Sequence, residues 1–318
     1  MKSDYLRRNA LKKRILPIFL SLCFFLCGCE NGNTPDITDT SGDTVPVIVT
    51  TDITDESEPS PYPVIINDTE IPEQPERVVC LSPAFGEIIY ELGFEASLVG
   101  RSSYCHYPEE ISAVPEVGRP ACPDIEKITA LNPDLLITAT KIPEKDKLLL
   151  QEQGIVTLYI PYPRSVTEFG NIYSALGLVF KGAFDGEAYG QEIFSPVEKA
   201  LSASEKPLGN FVYVTEGLSL AGGSTFESSV LSALGNNLAA DKEGYITEKD
   251  FLTENPPQVV LLNNIYDKEQ LSADPVLGEL EAVKSGSIIL IDNSYFECPT
   301  GRITGLINEL KSASADIA

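Results

Sequence analysis

The sequence predicts an α/β protein of two lobes that are joined by one long helix. From about residue 62, apolar segments of strand length alternate with amphipathic helical segments, and the alternation restarts after a long helical segment near residue 181. The segments "IEKITALNPDLLI" at 125–137 and "TEKDFLTENPPQVVLL" at 247–262 form a weak internal repeat of helix, Asn-Pro and apolar strand. A chain of 318 residues is long enough to bury two such cores.

The first 29 residues predict an export signal that ends in a lipid-attachment cysteine. Six basic residues precede the apolar run "ILPIFLSLCFFLC", which is too short to span a membrane as a mature helix. The run closes on "LCGC", a small-residue cleavage site that resembles the lipobox of bacterial lipoproteins, so Cys29 is predicted to carry lipid. An ordinary signal peptide is the alternative, and "RRNALK" also matches a twin-arginine signal loosely.

Residues 30–61 are predicted to form a disordered acidic tether. Thr, Asp, Ser, Pro and Glu dominate this segment, which holds too little apolar surface to offset the entropy of the chain. A short strand at "VPVIVT" is the alternative reading of its middle part.

The net charge of −24 lies on the tether and the lobes. Residues 30–76 hold twelve acidic residues and no basic one, and the residues that follow hold 34 acidic and 17 basic residues. An acidic body without a basic patch argues against nucleic acid and against direct adhesion to anionic lipid. We therefore expect contact with the membrane through the lipid anchor only.

The first lobe is predicted at 62–180. Its predicted elements, in order, are "YPVIIND", "RVVCL", "FGEIIYELGF", "SLVGRSS", "IEKITALN", "DLLITAT", "EKDKLLLQEQG", "IVTLYI" and "SVTEFGNIYSALGLVF". In the first of these helices, Phe85, Ile88, Ile89 and Leu92 share one face. The repeated β-α units indicate a parallel sheet that is covered on both faces.

The linking helix is predicted at 181–206 and the second lobe at 207–318. Pro196 lies inside the linking helix and predicts a kink there. The second lobe repeats the alternation with "NFVYVTE", "ESSVLSALG", "EKDFLTENP", "QVVLLNN", "DPVLGELEAVKSG", "SIILIDN" and "GRITGLINELKSA".

The motifs of the common enzyme classes are absent from the sequence. There is no Gly-x-Ser-x-Gly elbow, no phosphate-binding glycine loop and no HExxH pair, and His106 is the only histidine. Adjacent side chains such as Cys105 and His106 diverge in an extended loop, so the spacing supports no metal-ligand pair. We predict no catalytic residue, no metal and no cofactor. Cys80 is expected to be a buried apolar residue. Whether Cys105 and Cys122 form a disulfide is left undecided.

Aromatic residues gather in the predicted loops at the ends of strands. In an open α/β sheet, the loops beyond the carboxyl ends of the strands hold the ligand. Packing against their own lobe is the alternative for each of them. The aromatic residues in question are Tyr104, Tyr107, Tyr159, Tyr162, Phe226, Tyr245, Tyr295 and Phe296.

From about residue 62 to its end, the chain resembles a family of transport proteins. The resemblance is carried, in order, by "PERVVCLSPAFGEIIYELG", "LVGRSSYCHYPEE", "VGRP", "DIEKITALNPDLLI" and "AVKSGSIILIDNSYFECPTGRI". These blocks resemble the substrate-binding lipoproteins of ABC importers for cobalamin, ferric siderophores and haem. The resemblance implies two Rossmann-like lobes of the class III periplasmic binding protein type, with a small-molecule ligand in the cleft between them. It also implies an extracytoplasmic monomer, anchored through Cys29, whose partners are an ABC permease and its ATPase.

The resemblance also assigns roles to single residues. It places Tyr104 in the cleft, with Tyr295, Phe296 and Glu297 facing it from the second lobe, and it makes Glu126 the first acid that docks on the permease. The second docking position stays open between Glu248, Lys249 and Asp250. Asp250 is favoured if the doubled proline at 256–257 is an insertion. The predicted ligand-binding residues are Tyr104, His106, Tyr107, Arg119, Tyr162, Phe226, Tyr245, Tyr295, Phe296, Glu297 and Arg302.

The composition favours a corrinoid within this family, with a ferric siderophore or haem as the alternative. Siderophores and haem are often anionic and favour arginine, whereas corrinoids present mostly amides. Arg101, Arg119 and Arg302 are the candidate basic residues on an acidic body. Because the chain has no tryptophan, tyrosine and phenylalanine must supply any platform for a macrocycle. An enzyme or a sensor on the same scaffold is the rival class of function.

Overall fold

In the computed structural model, the described residues are 59–202 and 206–317. They belong to one compact unit, and none of their helices is long and apolar enough to cross a membrane. The predicted export signal, Cys29, the "VPVIVT" segment and the tether up to residue 58 lie outside the described residues. The predictions made for them stay predictions.

The strands of the described residues are short, and most of them belong to two sheets. In chain order they are β1 (Val64–Ile66), β2 (Thr69–Ile71), β3 (Val78–Cys80), β4 (Leu98–Arg101), β5 (Gly118–Arg119), β6 (Cys122–Pro123), β7 (Leu135–Thr138), β8 (Val156–Tyr159), β9 (Asn210–Val214), β10 (Leu220–Ala221), β11 (Asn236–Asn237), β12 (Tyr245–Ile246), β13 (Val259–Asn263) and β14 (Ile288–Ile291).

The helices follow the strands in regular alternation in the first lobe. In chain order they are α1 (Pro83–Glu91), α2 (Ile125–Ala130), α3 (Glu144–Glu152), α4 (Val166–Leu201), α5 (Phe226–Leu231), α6 (Lys268–Ser272), α7 (Glu281–Ser285), α8 (Ser294–Glu297) and α9 (Ile303–Ile317). Short 3₁₀ turns cover Glu95–Ser97, Glu109–Ala113, Glu216–Leu218, Asp250–Thr253 and Leu277–Glu279.

The sheet of the first lobe is parallel throughout, in the order β4-β3-β7-β8. Every residue of β3 and β7 is buried, because both faces of the sheet are covered. The carboxyl ends of the four strands meet at one edge of the sheet. Helix α1 begins at that edge, where the Ser82 side chain caps it and Pro83 occupies its first turn.

The sheet of the second lobe is mixed. Its order is β12-β10-β9-β13-β14, with β11 beside β9; the strands β9, β11, β13 and β14 are parallel, whereas β10 and β12 are antiparallel. Strands β10 and β12 have no counterpart in the predicted alternation, because two residues are too few to show a hydrophobic period.

Helix α4 folds back on itself at Gly182, whose φ of 73° and ψ of −172° are not helical. A Cβ atom on Gly177 would lie 2.1 Å from the carbonyl oxygen of Gly186, and one on Gly190 would lie 2.1 Å from that of Tyr173. These contacts run in opposite directions along the chain, so the arms 166–181 and 183–201 pack antiparallel. Only glycine allows two helix backbones to approach so closely.

The second arm of α4 is the helix that links the lobes, and the predicted fold class is confirmed. The arm covers residues 183–201, within the predicted 181–206, and the segment "SVTEFGNIYSALGLVF" forms the first arm. The kink predicted at Pro196 is wrong, since Gly182 is the residue with non-helical dihedral angles inside α4. Pro196 is accommodated within the helix.

One apolar core runs through both lobes. Phe169 on the first arm of α4 packs edge-to-face on Phe194 of the second arm and on Phe226 of the second lobe, at centroid distances of 4.9 and 5.5 Å. Phe226 in turn contacts Phe296. The C-terminal helix α9 packs along α4, where the ammonium group of Lys311 donates to the carbonyl oxygen of Ala200 at 2.7 Å. This core holds the walls of the cleft described next.

Candidate functional site

A cleft lies between the two lobes, at the edge where the parallel strands of each sheet end. Two cavities of about 960 and 460 Å³ occupy it, and they share Tyr162 and Glu297 in their linings. Ligand pockets span about 300–1,000 Å³, so the larger cavity is at the upper end of that range. The cleft is therefore large enough for a macrocyclic ligand.

Both lobes contribute side chains to the two cavities. The larger cavity is lined by Tyr162, Pro163 and Arg164 from the first lobe and by Thr215, Glu216, Gly217, Ser219, Ser224, Thr225, Phe226, Glu227, Gly244, Tyr245, Asn293, Phe296 and Glu297 from the second. The smaller cavity is lined by Pro83, Glu87, Tyr104, His106, Tyr107, Pro120, Thr140, Tyr162, Glu297, Cys298 and Arg302.

The wall of the first lobe is built mainly from tyrosines in the loops after β4 and β8. Tyr104 and Tyr107 are 54% and 51% exposed, so both rings are accessible in the smaller cavity. Tyr162 packs on Phe85 of α1 at a centroid distance of 6.3 Å. Burial raises the pKa of the Tyr162 hydroxyl, which keeps it protonated and able to donate a hydrogen bond.

The wall of the second lobe combines an apolar floor with a hydrogen-bonded acidic cluster. Phe226 and Phe296 are buried and form the floor, and Tyr245 is 56% exposed at the rim. The Tyr245 hydroxyl donates to Oε1 of Glu227 at 2.9 Å. Burial and the neighbouring carboxylate of Glu227 both raise the pKa of Tyr245, so its proton stays in this hydrogen bond.

A second hydrogen-bonded chain lies beside this pair. The Tyr213 hydroxyl donates to Oδ1 of Asn293 at 2.7 Å, and Nδ2 of Asn293 donates to Oε1 of Glu297 at 2.8 Å. Burial raises the pKa of Tyr213, and the charge of Glu227 adds to the rise. The hydroxyl groups of Tyr213 and Tyr245 are thus committed to protein acceptors.

A buried ion pair ties the two lobes together under the smaller cavity. Glu87 on α1 accepts from Nε and Nη2 of Arg302, each at 2.8 Å, and from the Thr300 hydroxyl at 3.1 Å. One turn further along α1, Glu91 accepts from the backbone N–H of Gly301 at 3.0 Å. Burial raises the pKa of Glu91. The segment before α9 is therefore fixed to the first lobe by two carboxylates.

Nine of the eleven predicted ligand-binding residues line the cleft. They are Tyr104, His106, Tyr107, Tyr162, Phe226, Tyr245, Phe296, Glu297 and Arg302. Arg302 is not free, because it pairs with Glu87 and its guanidinium carbon lies 4.5 Å from the centroid of the Tyr107 ring. Its guanidinium group therefore contributes to the structure of the cleft, and its role in ligand binding stays a prediction.

Arg119 and Tyr295 line neither of these two cavities, and the ligand-binding role predicted for each of them stays a prediction. Arg119 is exposed on the β5-β6 hairpin. Tyr295 packs against the apolar core, and its hydroxyl points toward Gly305 of α9, because the short helix α8 presents Phe296 to the cleft instead. Arg101 is likewise committed elsewhere, since it donates to the carbonyl oxygens of Val114, Ser102 and Cys105.

Several polar residues of the cleft are not among the predicted ones. Glu87, Arg164, Glu216, Glu227 and Asn293 all line it. On a chain with 47 acidic residues no local signal separates these glutamates from surface ones.

The cleft carries more negative than positive charge. Glu216, Glu227 and Glu297 line the larger cavity, where Arg164 is the basic residue. In the smaller cavity the charge of Arg302 is balanced by Glu87. Such a lining favours neutral or cationic ligand groups over anionic ones.

The cysteines of the described residues are free thiols. The disulfide left undecided for Cys105 and Cys122 is not formed, because Cys105 is buried and packs against α1 near Gly86, whereas Cys122 is exposed on the β5-β6 hairpin. Burial raises the pKa of the Cys105 thiol to about 11. Cys80 is buried, as predicted. Among the described residues, no three His, Cys, Asp or Glu side chains are placed to hold a metal ion.

The candidate docking acids lie on the surface of each lobe. Glu126 is exposed in the first turn of α2, which starts at the cleft edge of the first sheet. In the second lobe the ammonium group of Lys249 is held by Asp274 and the carbonyl oxygen of Leu218. Lys249 therefore points inward, whereas Glu248 and Asp250 are exposed.

A family model described as periplasmic binding protein matches residues 78–295. An uncharacterized ABC transporter substrate-binding lipoprotein of Bacillus subtilis is 26% identical over 258 residues, which cover 73% of this chain and 79% of that protein. The vitamin B12-binding protein of Vibrio cholerae is 25% identical, over 74% of this chain and 87% of that protein. Among solved structures, a possible iron-binding, periplasmic solute-binding protein of Staphylococcus epidermidis matches with a TM-score of 0.63 at 20% identity, over 76% of this chain and 99% of that one.

Proposed function

The chain belongs to the periplasmic binding protein family, and from this premise we propose that it captures a corrinoid in the interlobe cleft and delivers it to an ABC permease. The observation that carries the proposal is the lining of the cleft, which combines tyrosine and phenylalanine surfaces with an excess of carboxylates. In this proposal the protein is extracytoplasmic and is held at the membrane by lipid on Cys29. It works as a binding protein and not as an enzyme.

The charge of the cleft favours some of the candidate ligands over others. A corrinoid presents mostly amide groups, which donate hydrogen bonds to carboxylates without bringing negative charge into the cleft. A ligand with several carboxylates requires basic partners, and Arg302 already pairs with Glu87 at 2.8 Å. Arg164 alone would have to balance such a ligand in the larger cavity. The lining therefore supports a corrinoid over an anionic chelate.

A ferric siderophore or haem is the second candidate within the same function. Arg164 favours it, because a single well-placed guanidinium group binds a carboxylate bidentately. The possible iron-binding protein that matches at 20% identity shares this fold.

Titration calorimetry of the full chain in detergent tests the choice of ligand. We expect heat and a Kd in the micromolar range or tighter with cobalamin or cobinamide, and weaker binding with haem and anionic ferric siderophores. Tight binding of a ferric chelate, together with no heat from either corrinoid, would reject the first candidate in favour of the second.

Glu126→Ala is expected to leave the Kd for the ligand unchanged and to lower uptake by intact cells about tenfold. The substitution removes the carboxylate that would contact the permease, and a hydrogen bond to a charged group contributes about 1.5–3 kcal/mol. Asp250→Ala is expected to act in the same direction. Glu152→Ala is the matched control, because Glu152 is an exposed acid at the C-terminal end of α3, at the opposite edge of the sheet. Equal uptake by Glu126→Ala and wild-type cells would show that Glu126 does not dock.

A further inference from the structure

We propose that Glu227 sets the ligand specificity of the second lobe by requiring a hydrogen-bond donor, either a primary amide or a protonated amine, and by rejecting a carboxylate. The inference rests on the proposed function, because it concerns the same cleft. It adds the chemical class of the group that the second lobe recognises.

The position of Glu227 makes its carboxylate available to a ligand. Glu227 lies in the first turn of α5 and lines the larger cavity, although only 8% of its surface is exposed. Its Oε1 accepts from the Tyr245 hydroxyl at 2.9 Å. Its Oε2 receives no hydrogen bond from any group of residues 59–202 or 206–317. This oxygen is not among the fully buried polar atoms that lack a partner, so it is accessible, and a donor from the ligand would complete its hydrogen bonding.

The wall of the second lobe gives the ligand acceptors, and the basic residue of the larger cavity, Arg164, belongs to the first lobe. Glu216 and Glu297 line the same cavity, and the amide of Asn293 already donates to Glu297 at 2.8 Å. The Tyr213 hydroxyl is used by Asn293 at 2.7 Å. A ligand carboxylate at this wall would meet the carboxylates of Glu216, Glu227 and Glu297, and like charges repel each other.

The apolar floor strengthens this selection. Phe226 precedes Glu227 in the chain, and its ring lies 6.3 Å from that of Phe296, with both side chains buried. Apolar neighbours lower the local dielectric constant, so a hydrogen bond from a donor to the charged carboxylate is stronger there than in water. A ligand with an apolar face and pendant donor groups fits both features at once.

Matched pairs of ligands test the inference by titration calorimetry on the full chain in detergent. The first pair is cobalamin and each of its monocarboxylic acids, in which one side-chain amide is hydrolysed. We expect the wild-type protein to bind cobalamin at least tenfold more tightly than at least one of these acids. In Glu227→Gln we expect the Kd for cobalamin to rise about tenfold and the discrimination against that acid to fall to about twofold or less.

A second pair makes the test independent of the corrinoid. It consists of ferrioxamine B, which carries one protonated amine, and its N-acetyl derivative, which carries none. If no corrinoid binds but the wild-type protein prefers the amine over the acetylated form and Glu227→Gln does not, the proposed corrinoid function is wrong and the role of Glu227 stands.

The control is Glu243→Gln, which removes an exposed carboxylate two residues before Tyr245 that does not line either cavity. It should match the wild-type protein in every titration, and circular dichroism should show that both variants are folded. The inference is overturned if Glu227→Gln discriminates as the wild-type protein does, if the wild-type protein discriminates within neither pair, or if neither pair binds.

Discussion

Arg302→Met is expected to lower the free energy of unfolding by about 3 kcal/mol, because it leaves the carboxylate of Glu87 buried without its charged partner. Glu87 is only 4% exposed and accepts two hydrogen bonds from Arg302, each at 2.8 Å. The estimate is at the lower end of the range of about 3–5 kcal/mol for breaking a buried pair, since the side chain of Arg302 is itself 31% exposed. Urea unfolding followed by circular dichroism measures the loss.

Lys284→Met provides the matched control. Lys284 pairs with Glu279 at the same distance, 2.8 Å, but these two side chains are 50% and 77% exposed. Water and salt screen an exposed pair, so this variant should unfold almost as the wild-type protein does. If Arg302→Met costs no more than Lys284→Met, the tie between the lobes does not stabilise the fold.

A double variant separates the charge from the packing. Glu87→Leu combined with Arg302→Met removes both charges and keeps apolar volume at the site, so we expect it to be more stable than Arg302→Met alone. A double variant that is less stable than the single one would assign the loss to packing or to the contacts of Glu87 with Thr300 and Cys298.

Gly190→Ala is expected to lower the free energy of unfolding by about 3 kcal/mol, the upper end of the cost of overpacking. The added Cβ would lie 2.1 Å from the carbonyl oxygen of Tyr173 and 2.8 Å from the backbone nitrogen of Ser174. Both contacts are backbone atoms of the facing arm of α4, which cannot turn aside as a side chain can. The arms would have to separate, and the apolar contact between Phe169 and Phe194 would open with them.

Gly305→Ala tests the same substitution in another helix. A Cβ on Gly305 would meet only the Tyr295 hydroxyl, at an ordinary contact distance of 3.6 Å. Alanine is favoured over glycine inside a helix by about 1 kcal/mol, so this variant should be slightly more stable than the wild-type protein. We expect the free energy of unfolding, measured with urea, to fall in Gly190→Ala and to rise slightly in Gly305→Ala. A Gly190→Ala protein as stable as the wild-type protein would contradict the close approach of the two arms.

The cleft aromatic residues could be predicted because their positions follow from topology. Tyr104 and Tyr162 come directly after predicted parallel strands, and the carboxyl ends of such strands meet at one edge of the sheet. Nine of the predicted residues line the cleft, and those in the segments after the parallel strands β4, β8 and β14 do so for this reason. Tyr295 does not, since one helical step of 100° in the short α8 decides whether Tyr295 or Phe296 faces the cleft.

The local pattern of the sequence by itself determined the α/β alternation, the parallel sheet of the first lobe and the linking helix. These features depend on hydrophobic periods of 2 and 3.6 residues, and such periods can be read from residues that are close together in the sequence. The same pattern also placed the long helical segment between the lobes, although the reversal at Gly182 inside α4 was not visible in it.

Only the tertiary structure decided the partners of the charged residues. Arg302 meets Glu87, and Gly301 meets Glu91, across more than 200 positions of the chain. The inward turn of Lys249 and the buried position of Glu227 likewise depend on contacts with distant segments. A charged group on a long side chain pairs with an opposite charge that the folded lobes bring within about 4 Å. The spacing of residues in the sequence does not indicate which charges come that close.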